Sequence, residues 1–247
     1  MKVKAIISAL MLMACGMASA QTKTYLNVET APGVYKSFEV NKDLKISWGE
    51  KKEVPPTKGT AERTGSVNVR WVQLWENGPK FAEYNVGATS APEYGDYYTW
   101  GGFENVVGVE NPAYNSGLDD LSGTYDTATN LWGDNWRMPT KAEFEELLKS
   151  ENCTCTWTEN YNETGVNGLL CKGKEGTVYA DNSVFLPAAD GCYFGSVHGN
   201  GIYGYYWSSS PNNYNSAYRL TFRSGDQRVF EGDQHYGFSV RAVLVEE

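Results

Sequence analysis

Short strand-like runs separated by turn residues recur along this chain, some of them alternating apolar and polar positions with a period of two, and one stretch changes clearly to a helical period. The runs fall at residues 67–75, 153–158, 168–173, 183–186, 205–209, 216–223, 227–230 and 238–245, with glycine, asparagine and proline between them. Such runs, punctuated by turn residues, predict short antiparallel strands joined as hairpins. Residues 22–48 alternate as well. Leu26 and Val28 precede the turn Ala31-Pro32-Gly33-Val34, and Phe38, Val40, Leu44, Ile46 and Trp48 follow it. A small β-hairpin segment is therefore expected over residues 21–50. Residues 51–66, with Pro55-Pro56, glycines and many charges, read as a linker into a main domain spanning 67–247.

The helical stretch is WRMPTKAEFEELL, residues 136–148. Pro139 has no backbone N–H to donate and suits a strand end or a first helical turn. Thr140, with Glu143 three residues on, makes a capping-box pattern. Phe144, Leu147 and Leu148 then form one apolar stripe, leaving Lys141, Glu145 and Glu146 mostly on the wet side. A helix over 140–149 follows, approached through a turn-rich stretch at 119–133. In the run 216–223, alternation sends Tyr218, Leu220 and Phe222 to the core and Arg219, Thr221 and Arg223 to water. The fold class is α+β: twisted antiparallel sheets with one or two short helices, preceded by the small hairpin.

Composition places the chain outside the cytoplasm. Lys2 and Lys4 precede an apolar run from Ala5 to Ala14, and Ala18-Ser19-Ala20 follows, which reads as an export signal over residues 1–20. Leu12-Met13-Ala14 before Cys15 offers a second reading, a lipoprotein signal that would make Cys15 a lipid anchor. The run is too short for a permanent membrane-spanning helix, and no later stretch reaches that length. The mature chain is expected to be secreted or surface-tethered, with the periplasm as the alternative. A formal net charge of −9 disfavours nucleic acid, whose binding needs clustered cations. Export also makes a disulfide chemically reasonable among Cys153, Cys155, Cys171 and Cys192. Cys153 and Cys155 share a strand face, so Cys155–Cys171 and Cys153–Cys171 are both sterically sensible pairs.

Catalytic patterns are sparse. No G-x-S-x-G elbow, H-E-x-x-H pair or Walker loop occurs. Glu93, Asp96 and Asp134 could flank a glycosidic bond, but they sit in Gly/Asn-rich surroundings where carboxylates ordinarily accept backbone N–H bonds. Cys192 has no cysteine after it, and His198 and His235 are the only histidines. No cofactor is implied by these residues. Between residues 193 and 236, by contrast, Tyr203, Tyr205, Tyr206, Tyr214 and Tyr218 interleave with Asn200, Asn212, Asn213 and Asn215. Tyrosine offers contact area at low entropic cost, and asparagine and serine adapt their hydrogen bonding, as in antibody paratopes. Ligand contacts are expected from Tyr203, Asn212, Asn213, Tyr214, Asn215, Arg219, Arg223, Asp226, Gln227, Arg228 and His235.

The helical segment resembles the R-L-P-T-x-x-E-W-E motif of formylglycine-generating-enzyme-like and C-type-lectin-like domains. Within them it is similar to the branch called the Fibrobacter succinogenes major paralogous domain, common in Bacteroidetes surface proteins. YNVGATSAPEYGDYYTWGG at 84–102, then GVNGLL, VFLPAADG, GYYWSSS and GFSVRAV, resemble successive blocks of that family in order. The resemblance implies a C-type-lectin-like fold that closes its C-terminus near its N-terminus. Function does not follow from the fold alone; taken with the Tyr/Asn/Ser-rich tail, the resemblance leads to the expectation of a non-catalytic surface module binding a glycan or protein, with calcium as the one metal such domains often hold. The E-P-N and W-N-D motifs of sugar-binding C-type lectins are absent. Two alternatives come with it: a structural component of an appendage or envelope, using the 22–48 ribbon for assembly, or a formylglycine-generating-type enzyme, which needs a reactive cysteine pair. Lectin folds of this kind are also diversified by retroelements near the C-terminus, and the Asn/Tyr/Ser-rich tail matches such variation.

Overall fold

A computed structural model describes residues 56–199 and 201–245, together with the backbone of residues 5–8, 24–31 and 34–40. The chain divides into two compact units between Val54 and Pro55. In the first unit, strands β1 (Ala5–Ser8), β2 (Thr24–Ala31) and β3 (Val34–Val40) form an antiparallel sheet in that order. β2 and β3 pair antiparallel from Thr24↔Val40 to Ala31↔Val34, within the expected hairpin segment. β1 lies inside the expected export signal and pairs with β2 from Ala5↔Val28 to Ser8↔Tyr25. Cys15, Ala20, Leu44, Ile46, Trp48 and Asn200 lie outside the described residues.

The second unit begins with β4 (Lys58–Arg63), β5 (Val67–Gln73) and β6 (Lys80–Ala82). β4 corrects the linker boundary. Residues 58–63 read as linker by composition, yet they pair with β5 from Lys58↔Val72 to Arg63↔Val67. Exposed and half-buried positions alternate along it. An edge strand built of charged and small residues carries no hydrophobic signature of its own. Next come α1 (Thr127–Trp132), β7 (Trp136–Arg137) and α2 (Lys141–Leu147). They are followed by β8 (Cys153–Thr158), β9 (Gly168–Gly173), β10 (Ser183–Pro187), β11 (Gly191–Tyr193) and β12 (Ser196–His198). The chain closes with β13 (Gly204–Asn213), β14 (Ser216–Arg223), β15 (Asp226–Asp233) and β16 (Val243–Leu244).

Every named strand pair is antiparallel, and the class is α+β. The largest sheet runs β4-β5-β6-β16-β7, so the last strand is inserted between the third and the one that leads into α2. The proline-started helix and the chain's closing strand thus belong to one body. The strand expected over 238–245 shortens to β16. Upstream of it Phe238 bridges Tyr98 and Ser239 bridges Tyr206, because this segment crosses between sheets instead of staying in one ladder. Smaller sheets run β10-β9-β8, β11-β12 and β13-β14-β15.

α2 forms as its sequence dictates. The Thr140 hydroxyl accepts from the Glu143 N–H at 3.2 Å, and the Glu143 carboxylate accepts from the Thr140 N–H at 2.7 Å. Phe144 and Leu147 are buried, and the helix packs on β13, β14 and β15. Glu143 also takes a two-pronged contact from Arg137, at 2.8 and 2.6 Å. Burial pushes the Glu143 carboxyl up, but the Arg137 and Thr140 donors outweigh it and hold the group below the usual glutamate range. Because the folded value is the depressed one, this contribution is present at neutral pH and lost as pH falls through it. Glu143→Gln should therefore cost about 1 kcal/mol at pH 7. The deficit should shrink in acid low enough to protonate the depressed carboxyl in the folded protein, if that carboxyl is its source. Urea titrations of both proteins under the two conditions check this; a deficit unchanged by acid would refute it.

α1 is the helix that the pattern did not show. TATNLW is polar and β-branched, and its start depends on Asp126. This buried carboxylate accepts from the Thr129 N–H at 3.0 Å and, through both oxygens, from the Met138 N–H at 3.0 and 2.8 Å. It ties the N-cap of α1 to the segment leading into α2. A second buried polar centre is Arg241, fully enclosed. Its Nε donates to Asn85 Oδ1, Nη1 to the Ala82 carbonyl and Nη2 to the Phe185 carbonyl, each at 2.9 Å. Asn85 in turn donates to the Tyr94 carbonyl and the Tyr206 hydroxyl, which donates to the Pro187 carbonyl at 2.7 Å.

Cys155 and Cys171 stand directly opposite each other on β8 and β9 and form a disulfide, with Cα atoms 4.0 Å apart. Cys153 and Cys192 are free and buried. Cys153 Sγ lies 3.9 Å from Cys155 Sγ and donates to the Leu147 carbonyl at 3.1 Å.

Candidate functional site

Register places the candidate site on one face of the C-terminal sheet. In β14, Arg219, Thr221 and Arg223 stand opposite Phe230, Arg228 and Asp226 of β15. On the other side Arg219 pairs with Trp207 and Thr221 with Tyr205 of β13. Cross-strand partners share a face, so these side chains form one surface. Tyr203, just before β13, stacks parallel on Tyr205 with ring centres 5.8 Å apart.

The arginines lie on rings. Arg219 sits 4.1 Å over Tyr205 and 4.7 Å over Phe238, Arg223 lies 5.9 Å over Tyr203, and Arg228 lies 5.3 Å over Phe230. Such cation–π contacts hold the guanidinium planes in place. Asp226 is 4.0 Å from Arg223 and 3.6 Å from Arg228. Among the described residues no carboxylate comes within ion-pair distance of Arg219. Its Nε and Nη1 are buried without a hydrogen-bond partner. Burial holds this guanidinium below the usual arginine range.

This corrects the alternation reading, which put Arg219 in water and Tyr218 in the core. Arg219 is half-buried because Phe238 and Tyr193 cover that end of the face. Tyr218 is half-buried because Lys141 lies 3.9 Å over its ring. Gly232 makes the Arg219 position available: a Cβ there would stand 2.6 Å from Arg219 Nε.

Beside Arg219 opens a cavity of about 450 Å³, lined by Tyr193, Asn213, Asn215, Asp233 and Tyr236 among others. Tyr193 and Tyr236 meet edge to face at 4.7 Å. His235 extends the rim, its Nδ1 2.7 Å from Asp233 Oδ1 and its ring 4.3 Å from Tyr236. Phe194 lies near it, 63% exposed at the tip of the β11–β12 hairpin. There Phe194 has φ +49° and Gly195 φ +77°, the two left-handed positions of a tight hairpin turn. A bulky side chain in that region is strained by about 1–3 kcal/mol, so an exposed aromatic there is not explained by stability.

The structure therefore brings together Tyr203, Arg219, Arg223, Asp226 and Arg228 on the face, with Asn213, Asn215 and His235 at the cavity. Asn213 also closes the β13–β14 turn by accepting from the N–H groups of Asn215 and Ser216. Three expected contacts are directed elsewhere. Asn212 donates to Ser216 Oγ and to the Glu231 carboxylate. Tyr214 is exposed at the hairpin tip, its carbonyl accepting from the Gly117 N–H at 3.1 Å. Gln227 lies on the opposite face, 3.5 Å from the Cys155 carbonyl. Sequence reasoning left Tyr193, Phe230 and Tyr236 out of the contact set. Only the two-residue parity of β15 could have indicated Phe230.

The acids that could have flanked a glycosidic bond do not face one another across a cleft. Glu93 accepts from the Thr89 N–H at 2.7 Å, which holds it below the usual glutamate range. Asp96 accepts from the Asn105 amide at 2.7 Å, and Asp134 lines a surface hollow with Glu62 and Lys80. Among the described residues no three His, Cys, Asp or Glu side chains converge as a metal site, and no helix is long and apolar enough to cross a membrane. Comparison with protein-family models, with curated proteins and with solved structures returns no match.

Proposed function

We propose that this chain is an exported, non-catalytic recognition module of C-type-lectin-like architecture. It binds a glycan or protein ligand through the β13–β15 face and the adjoining cavity. The observation that carries this reading is the row of arginines held over tyrosine and phenylalanine rings beside an open, amide-lined hollow. Rigid aromatic and arginine groups on a sheet are what a binding surface requires, since little side-chain entropy is lost on contact. The ordered blocks from residue 84 to the closing GFSVRAV support the scaffold assignment.

An oxidase reading has less support. The two free thiols lie in different parts of the core, Cys153 beside Leu147 and Cys192 beside Val106. Burial pushes the Cys153 thiol up to about 12 and raises Cys192 as well. A thiol nucleophile needs the opposite environment, one that favours the thiolate.

Arrays of host mucins, plant polysaccharides, bacterial envelope glycans and surface proteins test the proposal. The folded chain should bind at least one class, and binding should weaken when Tyr203 and Tyr205 are both changed to alanine. Silence across all of them, with a cooperative melt showing the protein folded, would remove it.

A further inference from the structure

We infer that the ligand of this face is an acidic polysaccharide, one bearing carboxylate or sulfate groups; this rests on the recognition reading above and names its substrate class. The chain as a whole is acidic, with a formal net charge of −9. On the Arg219 face of β14 and β15 arginines outnumber carboxylates three to one, while two further carboxylates, Glu231 and Asp233, line the adjoining cavity. Arg219, Arg223 and Arg228 stand on that face against a single carboxylate, Asp226. That carboxylate is shared by Arg223 and Arg228, which leaves Arg219 without a counter-charge among the described residues. A guanidinium that is mostly withdrawn from water and unpaired makes a positive potential stronger than an exposed one would. Its Nε and Nη1 are buried without a hydrogen-bond partner.

The geometry favours a saccharide chain. Arg219 and Arg223 lie four residues apart on β14, about 13 Å along the strand, so a ligand touching both must be extended and carry repeated charge. Tyr193 and Tyr236 line the cavity beside them, and aromatic rings suit the C–H faces of sugar rings. Asn215 and Ser216 at the cavity supply partners for hydroxyls. An acidic peptide fits less well: adding along the free edge of β15, it would pair its backbone with the strand and lie beside the face on which the arginines stand. Glu231 and Asp233, at the cavity, are engaged by the Asn212 amide and by His235.

The full chain should be titrated calorimetrically with polygalacturonate, heparin, dextran and poly-glutamate at two salt concentrations. Polygalacturonate or heparin should bind, whichever of the two being tighter identifying carboxylate or sulfate as the group recognised, and dextran and poly-glutamate should not. Affinity should fall with salt, as charge-assisted contacts do. Arg219→Gln should weaken binding by about tenfold or more. If that variant melts early, the exposed pair Arg223→Gln and Arg228→Gln supplies the same test on the intact core, with a loss of similar size. Dextran binding unaffected by these changes would overturn the acidic assignment while leaving recognition standing. Poly-glutamate binding equal to that of the polysaccharides would overturn the saccharide assignment. Failure to bind any of the four, together with silence on the arrays, would remove the recognition reading itself.

Discussion

Arg241→Met should destabilise the second unit by about 3–5 kcal/mol, a large part of the stability of an ordinary domain. The guanidinium is fully buried and donates to three acceptors from two separate parts of the chain: the Ala82 carbonyl of β6 with nearby Asn85, and the Phe185 carbonyl of β10. Methionine fills similar space but donates nothing. Each acceptor left dry and unmatched costs about 1–3 kcal/mol, and losing the penalty for burying a cation offsets part of that sum. Burial already draws the guanidinium down to about 10, which measures the strain of keeping it charged there. Arg241→Lys should fare little better, since one ammonium cannot span a three-way fork. Urea unfolding followed by tryptophan fluorescence reads the change. A loss below about 1 kcal/mol in both variants would mean that water or repacking serves these acceptors.

The second large effect is expected at the β8–β9 hairpin. Removing the Cys155–Cys171 bridge should cost about 3 kcal/mol, the chain-entropy value for a loop of this length, given a sequence separation of 16. The test needs the double change Cys155→Ala with Cys171→Ala. In the single Cys155 variant, Cys153, with its sulfur 3.9 Å from that of Cys155, stands ready to take over as partner. Reduced wild-type protein should melt with the double variant, and oxidised wild-type well above it. Coincident melts of all three would show that the bridge contributes nothing to stability.

Some of this architecture was legible in residue order and some was not, for physical reasons. α2 could be read in full, because proline, capping box and apolar stripe are all local signals within one segment. β8, β9 and β14 match their expected runs end to end, each pairing antiparallel with a sequence neighbour. β4 and α1 were missed because their stability comes from distant partners: β5 for the one, the Asp126–Met138 link for the other. The binding face was read in part. Arginine and tyrosine content marked the right hairpins, but parity alone could not show that Phe238, from a later segment, folds over Arg219. It also could not show that Gln227 turns toward β8.

Gly232 and Arg219 share one volume, since the arginine's Nε occupies the place where a Cβ at 232 would press. The two positions are consequently bound together in descent. With arginine at position 219, any side chain at 232 forces that arginine and Phe238 to shift, and a shorter residue at 219 removes the closest of these contacts. Asn213 and Asn215, at the mouth of the hollow, carry no such restriction of space. Variation among descendants of this chain should therefore collect at the loop while that pair stays fixed or changes in step.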